Sequence, residues 1–359
     1  MTNFEIIKTT NPKTKPTKEE ESSLGFGKRF SDHMFIMDYN EEKGWHNGRV
    51  VPYGPLVLDP AAVVFHYGQE LFEGLKAYKH ENGEVVLFRP IDNIRRMNET
   101  CERICIPTID EEVAMDAIKT IVDVDRDWVP TSFGTSLYVR PFIIGTQPFL
   151  GVHPANEYMF VIILAPSGYY YPNGLAPTKI YVEDKYVRAV VGGTGNTKIG
   201  ANYAISLKAQ MDAEEKGYNQ VLWLDGIERK YVEEIGTSNA FFVIDGTVIT
   251  APLAGTILPG VTRRTVIQVL KDKGIPIEER KLSIDEVITA HKEGKLDEVF
   301  ASGTAAVISP VGYMEYKGEG YTINNNEIGE LSQMLYDAIT EIQYGKVEDT
   351  HGWIEKVEI

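Results

Sequence analysis

The chain has 359 residues, 43% of them apolar, with a formal charge of −16, two cysteines and seven histidines. That length bounds the fold to about two domains with substantial cores, and the acidic balance argues against a nucleic-acid partner, which needs clustered Lys and Arg. No apolar run is long enough for a membrane helix, and the first residues, with Glu5, Glu19, Glu20 and Glu21 and no continuous apolar stretch, argue against a leader peptide and for a cytoplasmic protein.

Residues 1–24, rich in Lys, Thr, Pro and Glu, read as a loose N-terminal arm. Residues 25–165 read as a small α+β domain, with strand signals at 34–37 and 84–88, helices near 91–105 and 111–121, and buried strands at 136–144 and 157–164. Cys101 and Cys105, four residues apart on the first of these helices, read as small core-facing residues, because no histidine pairs with them at zinc-finger spacing. Free thiols fit a reducing compartment.

The Pro- and Gly-broken stretch 166–178 reads as an interdomain loop, and 179–359 as a large second domain. There, Ala204, Leu207 and Met211 share one face of an expected helix that Gly217 can cap. Residues 240–250 read as a hairpin, since Asp245-Gly246 supplies a type I′ turn between two apolar runs. Pro259-Gly260 then breaks the chain ahead of a helix marked by Val266, Val269 and Leu270.

The chemistry centres on Gly192-Gly193-Thr194-Gly195-Asn196-Thr197-Lys198-Ile199-Gly200-Ala201-Asn202-Tyr203. Glycines let the backbone approach a ligand closely. A lysine kept from water has a lowered pKa, which frees its amine for covalent work and makes pyridoxal phosphate the candidate cofactor. A P-loop does not fit, because only Asn196 and Thr197 separate Gly195 from Lys198 and Ile199 follows the lysine. A dinucleotide fingerprint does not fit either, since Lys198 stands where its third glycine belongs. Taken alone, the segment also admits a bland reading, a glycine-rich loop with an exposed lysine.

It belongs to a series. Phe30-Ser31-Asp32-His33-Met34, His66-Tyr67, Leu71-Phe72-Glu73-Gly74-Leu75-Lys76-Ala77, Ser136-Leu137-Tyr138-Val139-Arg140-Pro141, Gln220-Val221-Leu222-Trp223-Leu224, Glu234-Ile235-Gly236-Thr237, Leu258-Pro259-Gly260-Val261-Thr262-Arg263, Ser302-Gly303-Thr304-Ala305 and Ile342-Gln343-Tyr344-Gly345 follow one another along the chain. In this order they closely resemble the branched-chain amino-acid aminotransferases, from about Phe26 to Tyr344. The resemblance implies the α+β architecture of pyridoxal-phosphate fold type IV: a smaller N-terminal domain, a larger C-terminal domain with a barrel-like sheet, and the cofactor at their interface.

It also implies roles for individual residues. Lys198 matches the Schiff-base lysine and proton shuttle. Glu234 matches the carboxylate facing the pyridine nitrogen, where a negative charge favours the protonated ring; its neighbour Glu233 points to the other side of an extended segment. Tyr203 matches the phenol on the ring hydroxyl. The phosphate falls to Arg96, the main-chain N–H groups of Val261 and Thr262 at a helix start, and Thr304. Phe30, Tyr67, Tyr138, Arg140, Val152, Tyr170, Thr237, Thr304 and Ala305 match the substrate pocket, with Val152 reaching a neighbouring subunit's site, which implies a homo-oligomer, at least a dimer. Tyr169, Tyr170 and Tyr171 are consecutive, so which of them lines the pocket stays open. Ala306 and Ser309 stand where some relatives carry a Cys-x-x-Cys pair, which excludes a thiol switch there.

The activity these matches imply is reversible amino transfer between L-leucine, L-isoleucine or L-valine and 2-oxoglutarate. A D-amino-acid transaminase or aminodeoxychorismate lyase would share Lys198 and Glu234 without the aromatic pocket. A non-catalytic phosphate-ligand binder on the same fold would have no need of the full set.

Overall fold

The computed structural model describes residues 2–169 and 175–358, so Tyr170 and Tyr171 lie outside the described residues. The chain forms two compact units: the first holds residues 1–172, 198–200 and 341–359, the second 173–197 and 201–340.

The first unit is built on a nine-stranded sheet whose central strands are His33–Asn40, Glu157–Ser167, Ser136–Gly145 and Leu75–Lys79. Their alternate apolar side chains meet the helices Pro90–Arg103 and Glu111–Val124 in one core, with Phe35, Leu75, Val139, Phe160, Ile94 and Ile118 among its members. Pro90 opens the first helix, where its missing N–H costs nothing. Asp110 caps the second, its carboxylate accepting from the N–H groups of Glu112 and Val113 at 2.9 and 3.1 Å.

Three expectations are corrected here. The arm 1–24 is tied down rather than loose. Glu5–Ile6 pairs in parallel with Gly44–Pro52, Lys13 N–H donates to Asp32 at 2.8 Å, and buried Glu21 accepts from the N–H groups of Thr131 and Ser132 at 3.0 and 2.7 Å. The strand placed at 157–164 runs on to Ser167, because Pro166 sits opposite Leu137 without interrupting the pairing. The large C-terminal domain expected to run to 359 loses its last stretch, since Ile354–Lys356 pairs antiparallel with Val85–Phe88 and Tyr344 Oη donates to the Thr135 carbonyl at 2.6 Å. The first unit therefore carries the greater share of the chain.

Cys101 is buried in the first unit's core, but Cys105 is exposed. The helix stops at Arg103, and Cys105 takes a left-handed φ of 58°, so the helical spacing that would have buried it no longer applies.

In the second unit, the strands Thr178–Glu183, Gln220–Leu224, Val232–Ile235, Ser238–Ile244, Leu296–Gly303 and Val307–Tyr316 pair in a ring and close a six-stranded barrel. Ser238–Ile244 and Thr247–Thr250 form the expected hairpin, with Asp245 and Gly246 at φ 50° and 73°. The helix expected on Ala204, Leu207 and Met211 forms as Gly200–Ala204 and Leu207–Glu215, but rotated: Leu207 and Met211 are 60% and 57% exposed, while Asn202, Ser206, Ala209 and Ala213 make the buried face. Small residues let this helix lie close against Val221 and Trp223. Among the described residues, no helix is long and apolar enough to cross a membrane.

Candidate active site

In the first unit, the segment 198–200 docks through its backbone. Lys198 N–H donates to Thr100 Oγ1 at 3.2 Å, its carbonyl accepts from Phe72 N–H at 3.0 Å, and Gly200 N–H donates to Glu70. The side chain of Lys198 is thereby fixed at its root. Its Nζ lies 4.8 Å from the centre of the Phe72 ring. Burial, and then the Arg96 charge, push the amine down to about 8, while Glu73 partly opposes them.

Helix Pro90–Arg103 and the loop after Phe72 supply the charges beside it. Arg96 and Glu73, 4% and 1% exposed, form a two-pronged ion pair: Nε to Oε1 at 2.8 Å and Nη2 to Oε2 at 2.9 Å. Asn93 Nδ2 and Gly74 N–H also donate to Glu73 Oε2, at 2.8 and 3.1 Å. Burial alone would raise the Glu73 carboxyl, but the Arg96 charge and these hydrogen bonds outweigh it and hold the group below its usual range. Tyr138 and Arg140, two apart on Ser136–Gly145, share a face as a strand requires. Arg140 Nη2 donates to Tyr138 Oη at 3.1 Å, its guanidinium lies 4.7 Å from the centre of the Phe72 ring, and its Nε is buried without a hydrogen-bond partner.

The remaining first-unit residues have other partners. Phe30 stacks on Tyr53 at 5.1 Å. Tyr67 donates to the Leu150 carbonyl, on an exposed stretch where Val152 is 87% exposed.

In the second unit, Tyr203, Glu234 and Thr237 line one pocket with Arg188, Asn202 and Leu258. Glu234 pairs with Arg188 Nε at 2.9 Å and accepts from Asn239 Nδ2 at 3.1 Å and from Leu258 N–H at 3.3 Å. Asn239 Nδ2 also donates to the Leu258 carbonyl at 2.9 Å, while its Oδ1 fills the space a Cβ on Gly260 would need. Only glycine fits there, directly ahead of Val261 and Thr262, the first residues of helix Val261–Asp272. The unpaired N–H groups of that first turn favour an anion. Thr304 and Ala305 lie half-buried in the turn between two barrel strands, and the adjoining Gly303 packs on Ser238, next to Thr237.

Sequence reasoning assigned no role to Glu73, Arg188 or Asn239. Glu73 stood inside a quoted motif, but nothing in the letters paired it with a residue 23 positions later. Arg188 precedes the glycine-rich stretch, and only folding brings it to Glu234.

An amine at about 8 has a direct consequence. Modification of Lys198 by trinitrobenzenesulfonate, followed by peptide mapping of the cofactor-free protein, should rise through pH ~8, well below the ~10.4 of an ordinary lysine. A midpoint near the ordinary value would mean that the amine is solvated. The stability effect has the matching sign: the folded state binds the proton less tightly than the unfolded one, so this residue's contribution improves as pH rises from about 8 toward the unfolded value.

The amino-transferase class IV family matches residues 70–312. The chain is 56% identical to branched-chain-amino-acid aminotransferase 2 of Bacillus subtilis (strain 168) over 96% of its own length and 95% of that protein's. Among solved structures it resembles the Escherichia coli branched-chain amino acid aminotransferase at TM-score 0.76 and 26% identity, covering 91% of this chain and 99% of the other. It also resembles the T.th. branched-chain amino acid aminotransferase complexed with N-(5'-phosphopyridoxyl)-L-glutamate, at TM-score 0.75 and 26% identity over 90% and 98% of the two chains. A family match across most of the chain, with more than half of the residues shared with a relative of nearly equal extent, places this protein among the class IV aminotransferases, within the branched-chain amino-acid aminotransferases.

Proposed function

We propose that this protein is a pyridoxal-phosphate-dependent transaminase that moves the amino group between L-leucine, L-isoleucine or L-valine and 2-oxoglutarate. The carrying observation is Lys198, whose amine is pushed down to about 8 beside the arginine of a buried ion pair. The phosphopyridoxyl-glutamate adduct of the T.th. relative supports both the cofactor and glutamate as one substrate.

The donor set fits the group. In the first unit, Lys198 would offer a partly neutral amine for its aldehyde and Arg96 a charge for its phosphate; in the second, the helix start at Val261 and Thr262 would offer N–H groups and Thr304 a hydroxyl. Glu234 offers a carboxylate for the ring nitrogen and Tyr203 a phenol for the ring hydroxyl. When bound, pyridoxal phosphate supplies the electron sink that makes amino exchange feasible.

The chain's own groups do the rest. Lys198 Nζ accepts and returns the proton of the substrate Cα, which suits an amine whose pKa lies near the working pH. Arg188 holds the Glu234 carboxylate in place. By the resemblance to the family, Ala305 and Thr304 would offer main-chain N–H groups to the substrate α-carboxylate, and Phe30, Tyr67, Tyr138, Thr237 and a neighbour's Val152 are the residues matched to its side-chain pocket. Exposed Phe65, Tyr67, Phe149, Leu150 and Val152, 61%, 42%, 45%, 64% and 87% accessible, support a homo-oligomer built on this face. Free Cys101 and Cys105 support a cytoplasmic setting.

The direct experiment is the visible spectrum of the purified protein before and after L-leucine. Loss of the cofactor's absorption with L-leucine but not with D-alanine supports the proposal, and the reverse preference rejects it. A second test concerns glutamate. The buried Nε of Arg140, which lacks a partner, supports a role for this guanidinium as donor to the distal carboxylate. Arg140→Leu should slow the glutamate half-reaction far more than the leucine one, by up to the ~1.5–3 kcal/mol of a charged hydrogen bond. Single-turnover rates with equal losses for both substrates would assign Arg140 to bracing Tyr138 and Phe72 instead.

A further inference from the structure

Adjacent carboxylates on the strand Val232–Ile235 open into different spaces. Glu234 lines the pocket that holds Tyr203, whereas Glu233 lines a separate cavity of about 100 Å3 with Val191, Ile227, Tyr231, Val232 and Ile257. Glu233 is 7% exposed. Its Oε1 accepts from Thr256 Oγ1 at 2.5 Å, but its Oε2 is buried with no hydrogen-bond partner.

Three other charged side chains line the cavity, those of Asp225, Glu228 and Lys281. Asp225 accepts from the main-chain N–H groups of Ile227, Glu228, Lys230 and Tyr231, and Lys281 Nζ lies over the Tyr231 ring, 4.7 Å from its centre. A carboxylate oxygen in such a place is costly until something donates to it. Burial accordingly raises the Glu233 carboxyl above its ordinary value, only partly offset by Thr256 and the Arg188 charge.

We propose that this cavity is a second ligand site, separate from the Glu234 pocket, for a small organic ammonium ion whose N–H donates to Glu233 Oε2 while its carbons lie against Val191, Ile227 and Val232. The size is suited to this class. An apolar cavity of about 150 Å3 accepts benzene, so one of about 100 Å3 takes about four heavy atoms. Occupancy is also wired to the neighbouring pocket. Thr256, which donates to Glu233, accepts from Arg188 through its carbonyl, and Arg188 is the partner of Glu234 at 2.9 Å. A ligand on Glu233 therefore acts on Glu234 through two intervening residues, Thr256 and Arg188.

Trimethylammonium chloride is the probe, since it has one N–H donor and, as a tertiary amine, cannot condense with an aldehyde. Isothermal titration calorimetry on the holoenzyme should show saturable binding at one site per chain. Glu233→Gln should weaken it about tenfold or more, the loss expected for a hydrogen bond to a charged group. Tetramethylammonium, of the same charge but without the N–H, should bind similarly poorly to the unaltered protein. Absence of saturable binding, or undiminished binding by folded Glu233→Gln, overturns the proposal. If that variant fails to fold, Ala254→Phe decides, because it places bulk in the cavity lining and keeps Glu233. Weakened binding there upholds the site and unchanged binding rejects it.

Discussion

Lys198→Ala should abolish steady-state transamination while leaving the fold intact. The contacts that dock residue 198 are made by its backbone, to Thr100 and Phe72, so truncating the side chain removes the amine without loosening the segment. General acid–base catalysis by a positioned side chain is typically worth about 10²–10⁴-fold, and the loss here adds the covalent role of the same amine. Single-turnover rates with L-leucine measure the effect, thermal unfolding checks the fold, and added methylamine should restore part of the rate. Near wild-type turnover would reassign the lysine's role. Lys76→Ala is the natural comparator, because burial also brings the Lys76 amine down to about 8.

The second large effect is on stability. Glu73→Leu leaves Arg96 buried without its carboxylate and removes an acceptor of Asn93 Nδ2 and of Gly74 N–H. Breaking a buried pair from one side typically costs about 3–5 kcal/mol, far more than an exposed pair, which is worth ~0–1 kcal/mol. Denaturant unfolding should show that loss, and the double variant Glu73→Leu, Arg96→Leu should be less destabilised than the sum of the single changes. A loss below ~1 kcal/mol would mean that water reaches the pair. The pH dependence follows the lowered Glu73 pKa: the contribution is complete above the ordinary carboxylate range and is lost as pH falls from that range through the lower folded value, so the acid limb of the stability profile should flatten in Glu73→Leu.

How much of this was legible in the letters depends on how local each signal is. Asp245-Gly246 specifies its turn through two residues, and Pro259-Gly260 specifies the start of the next helix, so both appeared in the sequence and in the fold. The helix after Lys198 shows the limit. Apolar spacing put Ala204, Leu207 and Met211 on one face, yet Ala209 and Ala213 are the residues that pack inward, because what decides is the close approach of Trp223, a property of the partner strand. Cys105 was misread for a related reason: helical spacing carries no information about where the helix ends. The candidate site divides in the same way. The resemblance pointed to Lys198, Arg96 and Glu234, whereas Glu73 and Arg188, which pair with the latter two, are joined to them only by contacts distant in sequence.

The returning C-terminal strand sets an order of events during synthesis. The barrel has all six of its strands once Tyr316 has left the ribosome, although its residues are made later than most of the first unit. The first unit must wait for Ile354–Lys356 to cover the edge at Val85–Phe88. Until then an apolar strand edge stays open to pairing with other chains. The half of the protein that is translated first is thus completed last, and truncations near the C-terminus should show themselves as aggregation of nascent chains before any loss of activity can be assayed.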